Sequence, residues 1–289
     1  GFRGGVVALD VATASILWHS YVVPEGADGA GVFSVPVVDS ERGLIIVGTQ
    51  NAYDSTPAPY GNPISIVAFD LVTGDLVWAF NAPPNDGQNS PTDDVGFSAS
   101  PNLFSVSDDG VQRDLVGQGQ KSGDFWAVDR ETGAQVWVTN LSPAGFLGGM
   151  EGSSAFADGT IVVPATDWPD FDGPATGSIQ ALDAATGRVI WTAEQAAPVP
   201  APVAISNDVV FHAGLDAILH GYDLATGDEV FSANIGGSAS GGTAIEGGVV
   251  VVGAATPQFA EFIVAGSSIV AFGLPSDATP VASPVAARG

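Results

Sequence analysis

The chain has 289 residues, with 7 lysines and arginines against 32 aspartates and glutamates, for a formal net charge of −25. That balance excludes nucleic acid, whose phosphates need a basic surface, and disfavours an anionic membrane surface for the same reason. Cysteine is absent, so this stretch has no disulfide, thiolate metal site or covalent haem motif, and no apolar run is long enough to span a membrane as a helix.

Glycine (38) and proline (20) are plentiful, 45% of residues are hydrophobic and only 13% are charged. Such a mixture makes many short buried strands joined by tight turns. The first residues, GFRGGVVALD, lack a Met and a signal peptide and already read as strand. The expectation is a processed or N-terminally truncated chain.

One pattern then recurs: strand, Asp, Thr-Gly turn, and a second strand ending in Trp. Its copies are VVALDVATASILW (6–18), IVAFDLVTGDLVW (66–78), FWAVDRETGAQVW (125–137), IQALDAATGRVIW (179–191) and LHGYDLATGDEVF (219–231), with a half-copy SIVAFGLP (268–275). The Asp side chain can accept turn N–H groups, Gly takes φ > 0, and Trp is a wedge between units. Two more strand-like runs precede each hairpin, as in FSVPVVD (33–39) with LIIVGT (44–49). Four strands per repeat predict an all-β propeller.

In chain order, residues 1–20 supply two strands of one blade, and four full blades fall near 29–81, 95–140, 151–194 and 200–233. Three strands of another lie in 238–273. That makes about five to six blades and an incomplete ring over residues 1–275. The Ala/Pro/Ser-rich end, 276–289, reads as a disordered tail. A solenoid of sheets and a pair of sandwiches are the structural rivals.

Lys121 is the only lysine in the sequence and sits just ahead of a repeated strand. Asp167, Asp170 and Asp172 lack the full spacing of a calcium loop and read as an exposed loop. His19, His212 and His220 read as scattered at strand ends, without metal-ligand spacing. No phosphate loop, nucleophile elbow or zinc helix motif is present.

Through GGVVALD, GQKSGDFWAVDRETG and LGGMEGSSAFADG, the chain resembles the quinoprotein alcohol dehydrogenase family, in particular its polyvinyl-alcohol-dehydrogenase-like branch. The resemblance implies an eight-bladed propeller in the full family, holding pyrroloquinoline quinone (PQQ) and calcium over the central channel. It implies that Asn51, in GTQNA, binds calcium, with Gln50 where the family has Gly. It implies that Asp94, in TDDVGFSASPNLF, lies beside calcium and takes the alcohol proton, with Asp93 its neighbour. Lys121 matches the family's cation at the quinone oxygens. Phe33 stands where a Trp usually stacks on the cofactor, and Glu151 falls near a cofactor-contacting position, followed by Gly152 where Trp is common. The family's calcium-binding Glu lies upstream of residue 1.

The resemblance thus implies a PQQ- and calcium-dependent dehydrogenase of secondary or polymeric alcohols. Its electrons would pass to a cytochrome c-type acceptor in a periplasmic or secreted setting. The second reading is a non-catalytic propeller that scaffolds other proteins. Without the upstream segment, residues 1–289 alone are expected to be inactive.

Overall fold

The computed structural model describes residues 3–26, 29–51, 62–83, 94–108, 110–145, 147–168, 175–254 and 263–273. Asp93, Asp170, Asp172 and the 276–289 tail lie outside the described residues. Among the described residues, twenty-one strands form six antiparallel sheets in chain order. The first pairs β1 (Gly5–Leu9) with β2 (Ile16–Tyr21). The second holds β3 (Val37–Asp39), β4 (Leu44–Gly48), β5 (Ser65–Asp70) and β6 (Leu76–Asn81). The third holds β7 (Asn102–Asp108), β8 (Val111–Gly119), β9 (Asp124–Asp129) and β10 (Gln135–Asn140).

The fourth sheet holds β11 (Ala155–Ala157), β12 (Thr160–Asp167), β13 (Thr176–Asp183) and β14 (Val189–Gln195). The fifth holds β15 (Ala204–Ser206), β16 (Val209–Ala213), β17 (Ile218–Asp223) and β18 (Glu229–Asn234). The last has three strands, β19 (Ala244–Glu246), β20 (Val249–Ala254) and β21 (Ser268–Gly273). The four-stranded sheets fall on the blades expected from the repeat. The first strands of successive sheets, β3, β7, β11, β15 and β19, touch one another in order. They therefore line a hub, and the sheets stand as spokes. Among the described residues no strand pairing joins the first sheet to the last.

Packing between spokes follows from the repeated turn. Asp10, Asp70, Asp129, Asp183 and Asp223 each accept the backbone N–H groups two and three residues on through Oδ1. The turn glycines Gly74, Gly133, Gly187 and Gly227 have φ between 70° and 76°. They also have a second reason to lack a side chain. A Cβ on Gly74, Gly133, Gly187 or Gly227 would lie 2.5–2.6 Å from the indole of Trp18, Trp78, Trp137 or Trp191 respectively. Each Trp on an outer strand thus lies flat on the turn of the next blade.

Trp18, Trp137 and Trp191 also donate Nε1–H to the carbonyl just after that turn's Asp, at Leu71, Ala184 and Leu224. Between these seams lie apolar layers, such as Phe104, Leu115, Phe125, Met150, Ile161 and Leu182 between the third and fourth sheets. Each such buried side chain contributes roughly 1.5–3 kcal/mol of transfer free energy.

Candidate functional site

One end of each four-stranded blade is organised by a repeated backbone frame. The residue closing the second strand donates its N–H to the segment that leads into the same sheet: Gln50 to Gly31, Lys121 to Gly96, Thr166 to Gly149, and Leu215 to Pro198. The preceding carbonyl accepts from the lead-in of the following sheet: Thr49 from Phe97, Gln120 from Met150, and Gly214 from Ala239. Gln50, Lys121, Thr166 and Leu215 therefore occupy one structural position in four blades. Only Lys121 is charged there.

Lys121 follows β8 in a tight turn closed by Gly123 at φ 88°. Its own sheet's lead-in brings Asp94, and the next sheet's brings Glu151. Nζ lies 2.5 Å from Asp94 Oδ2 and 3.6 Å from Glu151 Oε1. The lysine is 5% exposed, while both carboxylates keep an exposed edge. Gly149 allows this approach, because a Cβ there would sit 2.3 Å from the Lys121 carbonyl oxygen. Burial pushes the Glu151 carboxyl above its ordinary range, against the pull of the Lys121 ammonium, and the neighbouring Asp94 charge adds to the rise.

Asp94 is held through its neighbour Val95. The Val95 N–H donates to Asn51 Oδ1 at 3.3 Å, and its carbonyl accepts from Gln120 Nε2 at 2.8 Å. Gln120, fully buried, accepts in turn from Trp126 Nε1 at 2.7 Å. Of the residues singled out in the sequence, the structure brings Asp94, Lys121 and Glu151 into contact and ties Asn51 to them through Val95. Phe33 lies at the same end, in the register position of Glu151, but is 72% exposed. A Cβ on Gly31 would meet its ring at 3.6 Å. Gln120 and Trp126 are the residues the sequence reading passed over. Their only signal is the second Gln of GQGQK, which has no meaning until the lead-in of its sheet is folded beside it.

The histidine reading needs correction. His212 and His220 are direct cross-strand partners on β16 and β17. Strand pairing across a four-residue connection brings them together although no motif marks them. His220 sits between Asp216 Oδ2 at 2.8 Å and Glu229 Oε1 at 2.6 Å. His212 is fully buried, neither ring nitrogen has a hydrogen-bond partner among the described residues, and burial lowers its pKa to about 3. No group of three metal-binding side chains forms among the described residues, and no helix there is long and apolar enough to cross a membrane.

These features define an all-β propeller of four-stranded blades, and the proteins it is similar to are quinoprotein alcohol dehydrogenases. The PQQ family model, described as the beta-propeller domain of glucose/ethanol/alcohol dehydrogenases, matches residues 24–146. A second, described as outer membrane protein assembly factor BamB, matches residues 175–273. The chain is similar to a polyvinylalcohol dehydrogenase of Sphingopyxis sp. (strain 113P3), with 29% identity over 81% of this chain and 42% of that protein. It is also similar to a lupanine 17-hydroxylase [cytochrome c] of Pseudomonas sp, with 22% identity over 82% of this chain and 47% of the relative. The chain thus spans less than half the length of these relatives. Among solved structures, the quinohemoprotein alcohol dehydrogenase of Comamonas testosteroni superposes with a TM-score of 0.78 at 18% identity, over 99% of this chain and 58% of that one. That likeness concerns the fold.

Proposed function

We propose that the protein is a PQQ-dependent dehydrogenase of secondary or polymeric alcohols, with Lys121, Asp94 and Glu151 at the reaction site. The observation that carries this reading is the buried Lys121 ammonium held between two carboxylates at one end of the blades. Phe33, Asn51, Asp94 and Lys121 all fall inside the stretch that matches the dehydrogenase family model. The donor set suits PQQ. A fixed ammonium complements quinone oxygens, and the exposed Phe33 ring offers a face for a flat molecule. PQQ, when bound, accepts the hydride of an alcohol oxidation.

The chain's own residues have distinct tasks. Lys121 would stabilise negative charge that develops at an oxygen beside Nζ. Asp94 would receive the alcohol hydroxyl proton on the carboxylate that Lys121 keeps in place. Gln120 and Asn51 fix the Val95 peptide, and with it the reach of Asp94. Glu151 would help hold the cofactor beside Lys121. The trio carries one net negative charge, so an anionic tricarboxylate quinone needs a further cation next to it.

Calcium would supply that charge, and Asn51 and Asp94 would offer two oxygen donors to hold it. The described residues alone do not complete a calcium site. The relative that carries cytochrome c in its name supports a cytochrome-type acceptor. The proposed setting is periplasmic or secreted.

The test is dye-linked oxidation of 2-butanol and poly(vinyl alcohol) after adding PQQ and calcium to the natural protein. Turnover that depends on the quinone is expected. No turnover and no bound quinone would leave the scaffold reading, which the second family match favours for residues 175–273.

A further inference from the structure

A polar cleft of about 260 Å³ opens between the third and fourth sheets, at the same end of the blades as Lys121. Ser142, Asp167, Ser178, Gln180, Thr192 and Glu194 line it. Ser142 is 8% exposed, and its buried Oγ has no hydrogen-bond partner among the described residues. Gln180 is fixed through its Nε2, which donates to the Leu141 carbonyl at 2.7 Å and to Ser178 Oγ at 2.9 Å. Neither Asp167 nor Glu194 has an ion-pair partner among the described residues. Leu141 and Ala165 add apolar surface.

The lining selects a chemical class. Among the described residues it holds no lysine, arginine or histidine for an anion, and no aromatic face for a flat ring. No three-residue metal group forms among the described residues. What remains are carboxylates, hydroxyls and an amide, which together accept from and donate to aliphatic hydroxyl groups, beside apolar atoms that suit methylenes.

The cleft shares a wall with the Lys121 site. Leu141 N–H donates to the Gly123 carbonyl at 2.7 Å, two residues from Lys121. Thr166, which precedes Asp167, pairs through both backbone groups with Gly149, the residue packed on the Lys121 carbonyl. We infer that this cleft is a subsite for a chain of aliphatic hydroxyls. It would hold one part of a polyol while another part reaches Lys121 and Asp94. The inference rests on the dehydrogenase reading for its second half, and what it adds is where the polymer is held.

The test uses the natural protein with Ser178→Ala and Glu194→Gln combined. Removing two hydroxyl contacts is expected to raise KM for poly(vinyl alcohol) about tenfold, with kcat/KM for 2-butanol unchanged within about twofold. A parallel change for both substrates, or no change for either, overturns the subsite. Calorimetric titration of cofactor-free protein with short poly(vinyl alcohol) reads the cleft without turnover. Binding about tenfold weaker in the variant supports the inference even if no alcohol is oxidised, an outcome that would sink only the dehydrogenase reading. Equal binding by both proteins, or binding competed away by calcium, overturns the subsite whatever the activity.

Discussion

The third and fifth sheets have the same backbone and different interiors. Lys121 N–H bonds to Gly96 as Leu215 N–H bonds to Pro198, and Gln120 accepts from Met150 as Gly214 accepts from Ala239. The turn after each is closed by a residue with positive φ, Gly123 at 88° and Ala217 at 64°. Within this common frame the third sheet carries Gln118, Lys121 and Trp126 where the fifth carries His212, Leu215 and His220. The lesson is that the repeat builds the wheel, while chemistry comes from single replacements at fixed positions. A propeller can therefore carry the proposed reaction site in one blade and an unrelated polar cluster two blades on.

The largest expected effect comes from erasing the difference at the lysine. Lys121→Met makes the third sheet as apolar there as the fifth. Quinone-dependent alcohol oxidation is expected to fall by about 10²–10³-fold, the usual cost of one charge-stabilising group. Thermal unfolding should move much less, because Asp94 and Glu151 keep solvent-facing edges. Steady-state rates and melting curves on the same samples check this, and an unchanged rate would assign Lys121 a structural role only.

Next comes the frame that both sheets share. Gly187→Ala puts a Cβ 2.5 Å from the Trp137 ring at a residue with φ 75°. A destabilisation of about 3 kcal/mol is expected from clash and backbone strain together, measurable by urea unfolding. Near-neutral stability would contradict the Trp-on-turn seam.

The third effect concerns the fifth sheet's histidine. His212 faces His220 across the strand pair, with Asp216 in the connecting turn, and Glu229 and Tyr222 reach it only through His220. Its pKa is about 3 in the fold, below the unfolded value, so the unfolded state binds a proton first as pH falls. Stability from His212 is intact above the unfolded pKa and declines between there and about 3.

The two carboxylates raise the His220 pKa against its burial. That contribution has the opposite sign, being present at acid pH and lost as pH rises through its folded value. His212→Gln borrows the residue of the third sheet, where Gln118 donates to the Ala99 carbonyl at 2.6 Å. The variant is expected to lose about 2 kcal/mol less than wild type between pH 7 and pH 5. Identical acid profiles would contradict a neutral, buried His212.

The smallest effect lies away from both interiors. Asp114 accepts from Ser105 and Arg42 and pairs with Arg130. The Ser105 hydroxyl and the two guanidiniums hold its pKa at about 2 against some burial. Its contribution is present above the ordinary carboxylate range and lost as pH falls through about 2. Asp114→Asn is expected to cost about 1 kcal/mol at neutral pH, with the gap to wild type closing toward acid in denaturation curves.

The wheel was legible because its determinants are local. Asp, Gly and Trp repeat at fixed offsets, and each acts on its own turn or on the next blade. The site was legible only in part. Lys121 stands out because the chain has no other lysine, and Asp94 and Glu151 were reached through resemblance. Gln120 was not visible, since its partners Val95 and Trp126 meet it only when lead-in, β8 and β9 are folded together. The His212–His220 pair was hidden for the same kind of reason. Eight residues apart in sequence, the two become direct neighbours only through the register of β16 and β17.

The most direct test of the central claim is a crystal structure of the natural protein soaked with PQQ and calcium. The account predicts quinone oxygen density within hydrogen-bond distance of Lys121 Nζ, with Asp94 beside it. Well-occupied quinone elsewhere on the wheel, or none at saturating concentration, would contradict it.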